Sequence, residues 1–318
     1  MARSFCEAIP PYGALVGNKP EARPPCYLPV RKKDSHKGNY GRVGIVAGSL
    51  GMSGAAVLCG TAAVRSGAGL VTVFTPKSAH FIVALGNPCY MASPLEESEG
   101  ILSCQCVPGL LQKLAKMDVV AVGPGCGTGP GLESLLEGLL SQPGKLVLDA
   151  DALNQLAQMG NWWSNKKAKV ILTPHPGEMQ RLTTGAKKEA LGSRMTSAKE
   201  FAKLTGSVVL LKGHQTVIAN CDQENTNQTG NPGMAKGGSG DVLTGIIAAL
   251  WGQGLSAFDS AQLGAFVHGM AGDFAAKKQG QVALLATDLL MELGTVFETV
   301  KGPKSYFEVT ITFSPLPT

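Results

Sequence analysis

A glycine-rich stretch followed by one acidic side chain is the strongest chemical signal in the sequence. Asp241 follows this stretch directly and precedes an apolar run at 246–251; the stretch consists of Gly237, Gly238, Ser239 and Gly240. Glycines leave backbone N–H groups free to converge on a ligand, and a helix start adds unpaired N–H groups and the positive end of the helix dipole. The pattern therefore predicts an anion-binding loop at the start of a buried helix.

Asp241 has two alternative roles at the start of that helix. As a first-turn or capping carboxylate it would only stabilise the helix, by about 0.5–2 kcal/mol for a cap. Beside a phosphate-sized anion it would instead act as a catalytic base. The choice depends on what the rest of the chain brings to the same place.

Other charged side chains follow predicted strands and would complete a site for phosphoryl transfer. That reaction needs anion donors, a metal ion and a base for the attacking hydroxyl group. Lys212 or Lys236 has the charge to contact nucleotide phosphates. Three carboxylates carry the oxygen atoms that Mg²⁺ prefers, and they would act on it through water: Asp149, Asp151 and Glu178.

Each of these side chains also has a structural alternative. Asp149 and Asp151 lie just before a predicted helix, where capping explains them equally well. His175 lies between two prolines, where it either contacts a substrate or only shapes the turn. Lys212 closes a buried strand, where a lysine needs an acidic or phosphate partner, and Glu178 is a candidate for that partner.

The elements that must position these residues follow a repeated strand, turn and helix order. Five short apolar runs have the length and β-branching of buried strands, and each ends in a polar or glycine-rich turn: 43–47, 119–122, 146–148, 170–172 and 208–211. Helices are predicted at 55–66, 132–140, 246–251, 260–279 and 286–299, with a further strand at 70–74. Such βαβ units form parallel sheets that bind ligands at the carboxyl ends of their strands, so we expect one long cleft there.

Composition indicates a globular α/β protein. The chain has 318 residues, of which 44% are hydrophobic and 16% charged, and its 41 glycines suggest several sites of close backbone approach. The net charge of +5 is spread along the chain, without the basic stripe of a nucleic-acid-binding protein. No apolar run approaches the ~18 residues of a membrane span, and the eight cysteines form no metal-binding spacing. We expect a soluble, cytoplasmic protein without nucleic-acid or membrane partners.

One catalytic domain is predicted at 35–302. Prolines without periodicity indicate an extended arm at 1–34, which is a linker or a packing strap. A tail at 303–318 includes an alternating stretch at 307–313 that resembles a half-buried strand.

Two common nucleotide-binding motifs are absent. The sequence contains no Gly-x-x-x-x-Gly-Lys-Ser/Thr loop and no clean Gly-x-Gly-x-x-Gly followed by an acidic residue at dinucleotide spacing. Several other motifs occur in a fixed order between residues 36 and 298: His-Lys-Gly-Asn-Tyr-Gly from 36, Ala-Gly-Ser from 47, Arg-Ser-Gly-Ala-Gly from 65, Gly-Pro-Gly from 123, Asp-Ala-Asp-Ala-Leu-Asn from 149, Thr-Pro-His-Pro-Gly-Glu from 173, Leu-Lys-Gly from 211 and Lys-Gly-Gly-Ser-Gly-Asp from 236.

Taken together, these motifs resemble those of the nucleotide-dependent NAD(P)H-hydrate dehydratases. The resemblance implies a ribokinase-like fold, with three α/β/α layers around a mainly parallel sheet. It also implies a repair reaction, in which the S-epimer of hydrated NADH or NADPH is dehydrated with ADP, in preference to ATP, and Mg²⁺. A homotetramer is implied, and because residues 1–34 are too few for the epimerase domain of many relatives, a separate epimerase is expected.

The resemblance also implies site residues. It places the nucleotide on Lys212, Gly213, His214, Gln215 and Thr216 and on the glycine loop that ends at Gly240. It places the hydrated nicotinamide near Ala63, Gly125, His175 and Asp241. Asp241 would be the base that activates the ring hydroxyl for attack on the terminal phosphoryl group.

Two other functions remain open from the sequence. A ribokinase-like kinase of hydroxymethylpyrimidine or hydroxyethylthiazole would use the same Gly-Ser-Gly-Asp loop on a vitamin alcohol. A non-catalytic nucleotide sensor would keep the glycine loops without using Asp241 as a base. The Lys-Gly-Gly lead-in at 236 and the His-Pro-Gly-Glu turn at 175 favour the dehydratase over the kinase.

Overall fold

The computed structural model describes residues 23–186 and 193–300. The strands in this part of the chain are β1 (Arg42–Val46), β2 (Leu70–Pro76), β3 (Met91–Leu95), β4 (Glu97–Ser98), β5 (Ile101–Leu102), β6 (Val119–Val122), β7 (Lys145–Leu148), β8 (Lys169–Leu172), β9 (Val208–Leu211), β10 (Val217–Ala219) and β11 (Glu224–Thr226). The helices are α1 (Ser53–Arg65), α2 (Lys77–Gly86), α3 (Val107–Leu114), α4 (Pro130–Leu140), α5 (Asp151–Met159), α6 (Pro176–Gly185), α7 (Arg194–Thr205), α8 (Ser239–Gly252), α9 (Ala257–Gln279) and α10 (Ala286–Thr299).

Nine of these strands form one sheet, in the order β11-β10-β9-β8-β7-β6-β1-β2-β3. The strands from β9 to β3 in that order are all parallel, and only β10 and β11 pair antiparallel. The last residues of four central strands lie in register: Val46, Val122, Leu148 and Leu172. The turns that follow these strands therefore lie side by side, as the sequence predicted.

Helices cover both faces of the sheet, because the central strands are apolar on both sides. Along β1, Ile45 packs against one layer and Val46 against the other. Helices α3 to α7 form the first layer, and α1, α2, α8 and α9 form the second, with α10 packed outside α8 and α9. The predicted three-layer α/β/α architecture is confirmed.

Helices α1 and α8 pack against each other backbone to backbone. A Cβ atom added at Gly245 of α8 would lie only 2.2 Å from the carbonyl oxygen of Cys59 in α1. Every residue of α8 from Val242 to Trp251 is buried. Both helices begin at the carboxyl edge of the sheet, so this packing holds their first turns next to each other.

Most central elements lie where the sequence predicts them, and several other elements do not correspond to any prediction. The strands predicted at 119–122 and 208–211 and the helix at 286–299 have the observed bounds, and the helix predicted at 55–66 is α1. The sequence does not predict strand β3, the β4–β5 hairpin, the antiparallel strands β10 and β11, or helices α2, α3, α6 and α7. No helix in the described ranges is long and apolar enough to cross a membrane.

The described part of the predicted arm, residues 23–34, has no helix or strand. Arg31 attaches it to the domain: its Nη2 atom donates to the carbonyl of Gly67 at 2.7 Å, and its guanidinium lies 3.9 Å from the ring centre of Tyr40. The rest of the arm and the predicted strand at 307–313 lie outside the described residues.

Candidate active site

A buried ion pair lies at the carboxyl edge of the sheet. Lys212 follows β9, and its Nζ atom lies 2.6 Å from Oδ1 of Asp149, which follows β7. The other oxygen of Asp149 accepts a 2.7 Å hydrogen bond from the hydroxyl of Thr244 in α8. Glu178, the partner considered for Lys212 from the sequence, is more distant at 3.8 Å. Asp149 is therefore the principal partner of Lys212, and it does not cap a helix.

The charge state of Lys212 follows from these contacts. Burial disfavours its charged form, but the charges of Asp149 and Glu178 outweigh burial and raise the pKa of Lys212 above its ordinary value. The lysine is therefore a fixed positive charge at the ligand edge.

Asp241 lies in the first turn of α8 without capping it. The N-cap is Gly238, whose φ of 89° is in the left-handed region that favours glycine, and no side chain caps this helix. Within the described ranges, the Asp241 carboxylate has no hydrogen-bond partner. Burial first, and then the charge of Asp149, raise the pKa of Asp241 from its ordinary 3.8 to about 6, against the opposing effect of Lys212. Asp241 is thus a stronger base than a solvated aspartate.

The glycine loop lies directly over the ion pair. A Cβ atom at Gly240 would be 3.4 Å from Nζ of Lys212 and 3.7 Å from Oδ2 of Asp149, whereas one at Gly237 would meet nothing within 4 Å. The loop therefore leaves open space beside a lysine charge and the amino end of α8, which together suit an anion.

Ser239 is held by a histidine that sequence analysis missed. His268, in the long helix α9, places Nε2 2.9 Å from the carbonyl oxygen of Ser239 and 3.2 Å from its hydroxyl. Since a carbonyl only accepts, Nε2 carries the proton. Burial lowers the pKa of His268 to about 4, so the ring is neutral near pH 7 and fixes the first residue of α8.

The turn at 212–216 is shaped by a second missed residue, Arg194 of α7. Its Nη2 atom donates to the carbonyls of Leu211 and Lys212 at 2.9 and 3.0 Å, and Nη1 donates to the carbonyl of His214 at 2.6 Å. These bonds leave His214 and the neighbouring Gln215 exposed. The predicted nucleotide-binding turn therefore faces solvent next to Lys212.

His175 has the structural role that its sequence context allowed. Its Nδ1 atom accepts from the backbone N–H groups of Gly177 and Glu178, and Glu178 Oε2 accepts from the His175 N–H at 2.8 Å. This reciprocal pair caps the start of α6. The His175 side chain remains 50% exposed and so is also accessible to a ligand.

The substrate contact predicted for Ala63 does not fit the structure. Ala63 is 0% exposed and lies beneath α8, near the end of α1 that is distant from the ligand edge. At the ligand end of α1, the Cβ atom of Ala55 lies 3.0 Å from where a Cβ at Gly125 would be. Ala55 is therefore the α1 alanine next to the predicted substrate residue Gly125. An alanine-rich helix buried on several sides gave no periodicity with which to choose between the two.

The three carboxylates proposed for Mg²⁺ do not form a direct metal site. Asp149 is held by Lys212 and Thr244, Asp151 accepts from the N–H of Gly127 at 2.8 Å, and Glu178 is in the α6 cap. Across the described residues there is no group of three or more side chains placed to hold a metal ion. Contact through water remains a prediction for these carboxylates.

The sequence matches one protein family and curated relatives over most of its length. The family model described as NAD(P)H-hydrate dehydratase matches residues 43–294. The bifunctional NAD(P)H-hydrate repair enzyme of Moorella thermoacetica is 48% identical over 268 residues, which are 83% of this chain and 50% of that protein. The ADP-dependent (S)-NAD(P)H-hydrate dehydratase of Neisseria meningitidis is 38% identical over 273 residues, 83% of this chain and 88% of the relative. The chain spans about half the length of the bifunctional relatives it matches.

Solved structures also match this chain over most of its length. A ribokinase-like superfamily protein from Enterococcus faecalis matches with a TM-score of 0.74 at 28% identity, over 87% of this chain and 93% of that one. The ADP/ATP-dependent NAD(P)H-hydrate dehydratase of Bacillus subtilis, co-crystallised with ATP/Mg²⁺, matches with a TM-score of 0.72 at 32% identity, over 86% and 95% of the two chains. A hydroxyethylthiazole kinase from Pyrococcus horikoshii, with a TM-score of 0.51 at 15% identity over 83% and 89% of the chains, shares the fold alone. From its sequence match and its ribokinase-like fold, the chain belongs to the NAD(P)H-hydrate dehydratase family.

Proposed function

We propose that the protein dehydrates the S-epimer of NADH or NADPH hydrate to the reduced cofactor in a nucleotide-dependent repair reaction. The observation that carries this proposal is the partly buried carboxylate of Asp241, which has a pKa of about 6 and lies beside Lys212 and an open glycine loop. A base of that strength close to neutral pH suits removal of a proton from a hydroxyl group.

Asp241 takes the proton from the ring hydroxyl while that oxygen attacks the terminal phosphoryl group of the nucleotide. The backbone N–H groups of residues 237–240 stabilise the negative charge that develops on the phosphoryl oxygens. Phosphate then leaves with the original hydroxyl oxygen as the lone pair of the ring nitrogen assists, and the adjacent ring carbon loses a proton to form the new double bond. The dihydronicotinamide ring is thereby restored.

The ligands are assigned to opposite sides of Asp241. The nucleotide occupies the turn 212–216 and the space over Gly240, and the hydrated ring lies towards Gly125 and His175. We favour ADP as the nucleotide, in line with the ADP-dependent relative of Neisseria meningitidis. Mg²⁺ would neutralise phosphate charge when bound, and the phosphates themselves are its expected ligands, with water between the metal and the protein carboxylates.

The decisive assay follows absorbance at the reduced-nicotinamide band. Acid-made NADH hydrate is mixed with the protein, Mg²⁺ and either ADP or ATP, and recovery of absorbance is expected. Asp241→Asn should fold and should lose on the order of 10²–10⁴-fold in rate. No recovery with either nucleotide would refute the proposed function.

Three further properties are proposed from the family resemblance: a homotetramer, a cytoplasmic location and a separate epimerase that interconverts the R and S hydrates. Light scattering of the purified protein tests the tetramer directly. If a separate epimerase is needed, the protein alone should convert the R hydrate slowly, and an added epimerase should accelerate that conversion.

A further inference from the structure

A wide, open cavity outside the proposed ligand contacts lies between α5 and α6. Its volume is about 710 Å³, and seven side chains that line it can donate or accept hydrogen bonds: Thr128, Asp151, Asn154, Gln158, Gln180, Arg181 and Thr184. Small-molecule sites commonly have volumes of ~300–1,000 Å³. The cavity is thus large enough for a substantial part of a nucleotide.

The cavity adjoins the candidate active site through Asp151. One oxygen of Asp151 accepts from the N–H of Gly127 at 2.8 Å, next to the predicted substrate residue Gly125. The charge of Asp151 also contributes to raising the pKa of Asp241. A ligand whose ring lies at Asp241 can therefore continue past Gly127 into this cavity.

Arg181 supplies the positive charge of the cavity. Its Nε atom donates to Oδ1 of Asn154 at 2.9 Å, which holds the side chain across the space between the two helices. Nη1 lies 3.8 Å from where a Cβ at Gly177 would be, so the guanidinium points back along α6 towards His175. Among the described residues, Arg181 has no carboxylate partner. Its fork of N–H donors matches a phosphate group in geometry and charge.

The proposed substrate needs such a second site. A nicotinamide dinucleotide carries a pyrophosphate and an adenosine half, and the co-substrate nucleotide occupies the opposite side, at 212–216. On the basis of the proposed function, we infer that the α5–α6 cavity binds the phosphate-bearing remainder of the dinucleotide, with Arg181 donating to one of its phosphate groups. The amide and hydroxyl side chains of the cavity then face the ribose hydroxyls.

Arg181→Gln tests this inference. The KM for the hydrate should rise roughly 10-fold, as expected for one lost charge-assisted contact of about 1.4 kcal/mol, while kcat and the KM for ADP should change less than about 2-fold. Arg181→Lys keeps the positive charge without the paired N–H donors of the guanidinium, so its KM for the hydrate should lie between those of the wild type and Arg181→Gln. Arg42→Gln is the matched control, because Arg42 is exposed at the opposite end of the parallel strands. Circular dichroism confirms that each variant is folded.

A comparison of the two hydrates identifies the phosphate. If Arg181→Gln raises the KM equally for NADH and NADPH hydrate, Arg181 contacts the pyrophosphate. If it raises the KM for NADPH hydrate alone, Arg181 contacts the 2′-phosphate. Both results support the inference. An unchanged KM for both hydrates, or a rise in the KM for ADP alone, overturns it.

Equilibrium binding of unmodified NADH and NADPH separates this inference from the proposed function. Fluorescence of the reduced ring reports binding without turnover. A wild-type protein that binds NADPH more tightly than Arg181→Gln, yet restores no hydrate, would refute the proposed function and keep the cavity assignment. Equal binding by both proteins, in an active enzyme, would refute the cavity assignment alone.

Discussion

Replacing Asp241 with asparagine should stabilise the protein while it lowers the proposed activity by on the order of 10²–10⁴-fold. The folded-state pKa of Asp241 is about 6 against an ordinary value of 3.8, so ionisation at this site costs the folded protein about 3 kcal/mol, since each pH unit corresponds to ~1.4 kcal/mol. Above pH 6 the carboxylate is charged in both the folded and unfolded states, and the folded state bears this full cost. As the pH falls through 6 the folded protein takes up a proton, and below 3.8 the cost is gone. Asparagine never bears it.

Urea unfolding at several pH values measures this difference. Asp241→Asn should exceed the wild type in free energy of unfolding by about 3 kcal/mol at pH 8 and by roughly zero at pH 3.5. Asp34→Asn, at an exposed aspartate outside the site, should stay within about 0.5 kcal/mol of the wild type at each pH. A variant less stable than the wild type at pH 8 would show that Asp241 mainly stabilises the start of α8, and the reasoning on its desolvation would be wrong.

Three further substitutions probe its neighbours. Gly240→Ala should keep or slightly raise the free energy of unfolding, by up to ~1 kcal/mol, because the position is helical. Its affinity for ADP, measured by calorimetry, should fall more than about 10-fold, because the new Cβ would lie 3.4 Å from the Lys212 ammonium. An unchanged affinity would contradict the assigned nucleotide position. Lys212→Met leaves Asp149 buried without its cation and should lower the free energy of unfolding in urea by about 3 kcal/mol. Adding Asp149→Asn to this variant should recover about 2 kcal/mol. If the stability losses of the two single variants simply add in the double variant, the two side chains do not stabilise each other. As the pH falls from 6.5 to 4, the wild type should lose up to about 3 kcal/mol in free energy of unfolding, because His268 is held in its neutral form, and His268→Gln should not show this loss. Parallel plots of unfolding free energy against pH for the two proteins would show that His268 is not buried in its neutral form.

The sequence predicted the central part of the fold because local signals agree with the tertiary structure there. Strands such as 119–122 are short and apolar on both faces, and each ends in a turn that glycine or a polar residue marks. The short strand Glu224–Thr226 carries no apolar pattern, since it lies at the sheet edge and pairs through its backbone. Its prediction would have required knowledge of its partner.

The side-chain partners in the site could not be predicted in the same way. Asp149 and Lys212 are 63 residues apart, and they meet because β7 and β9 lie on either side of β8. The sequence indicates the candidates but not the spatial order of the strands, and it therefore suggests Glu178 as a partner of Lys212 without indicating Asp149. His268 and Arg194 lie in helices far along the chain and act on backbone atoms, for which a sequence gives no signal.

The close packing of α1 and α8 has a consequence for the reaction. Gly245 lies one turn beyond Asp241, and its contact with the Cys59 carbonyl sets how closely the two helices approach. The Gly125 turn rests on the start of α1 through Ala55, while Asp241 belongs to α8, so the separation of these helices also sets the distance from the base to the ring. A misplacement of 1 Å can cost about 10²-fold in reaction rate. A single methyl group added at position 245 would contact neither ligand, yet by separating the two helices it would misalign the two reactants.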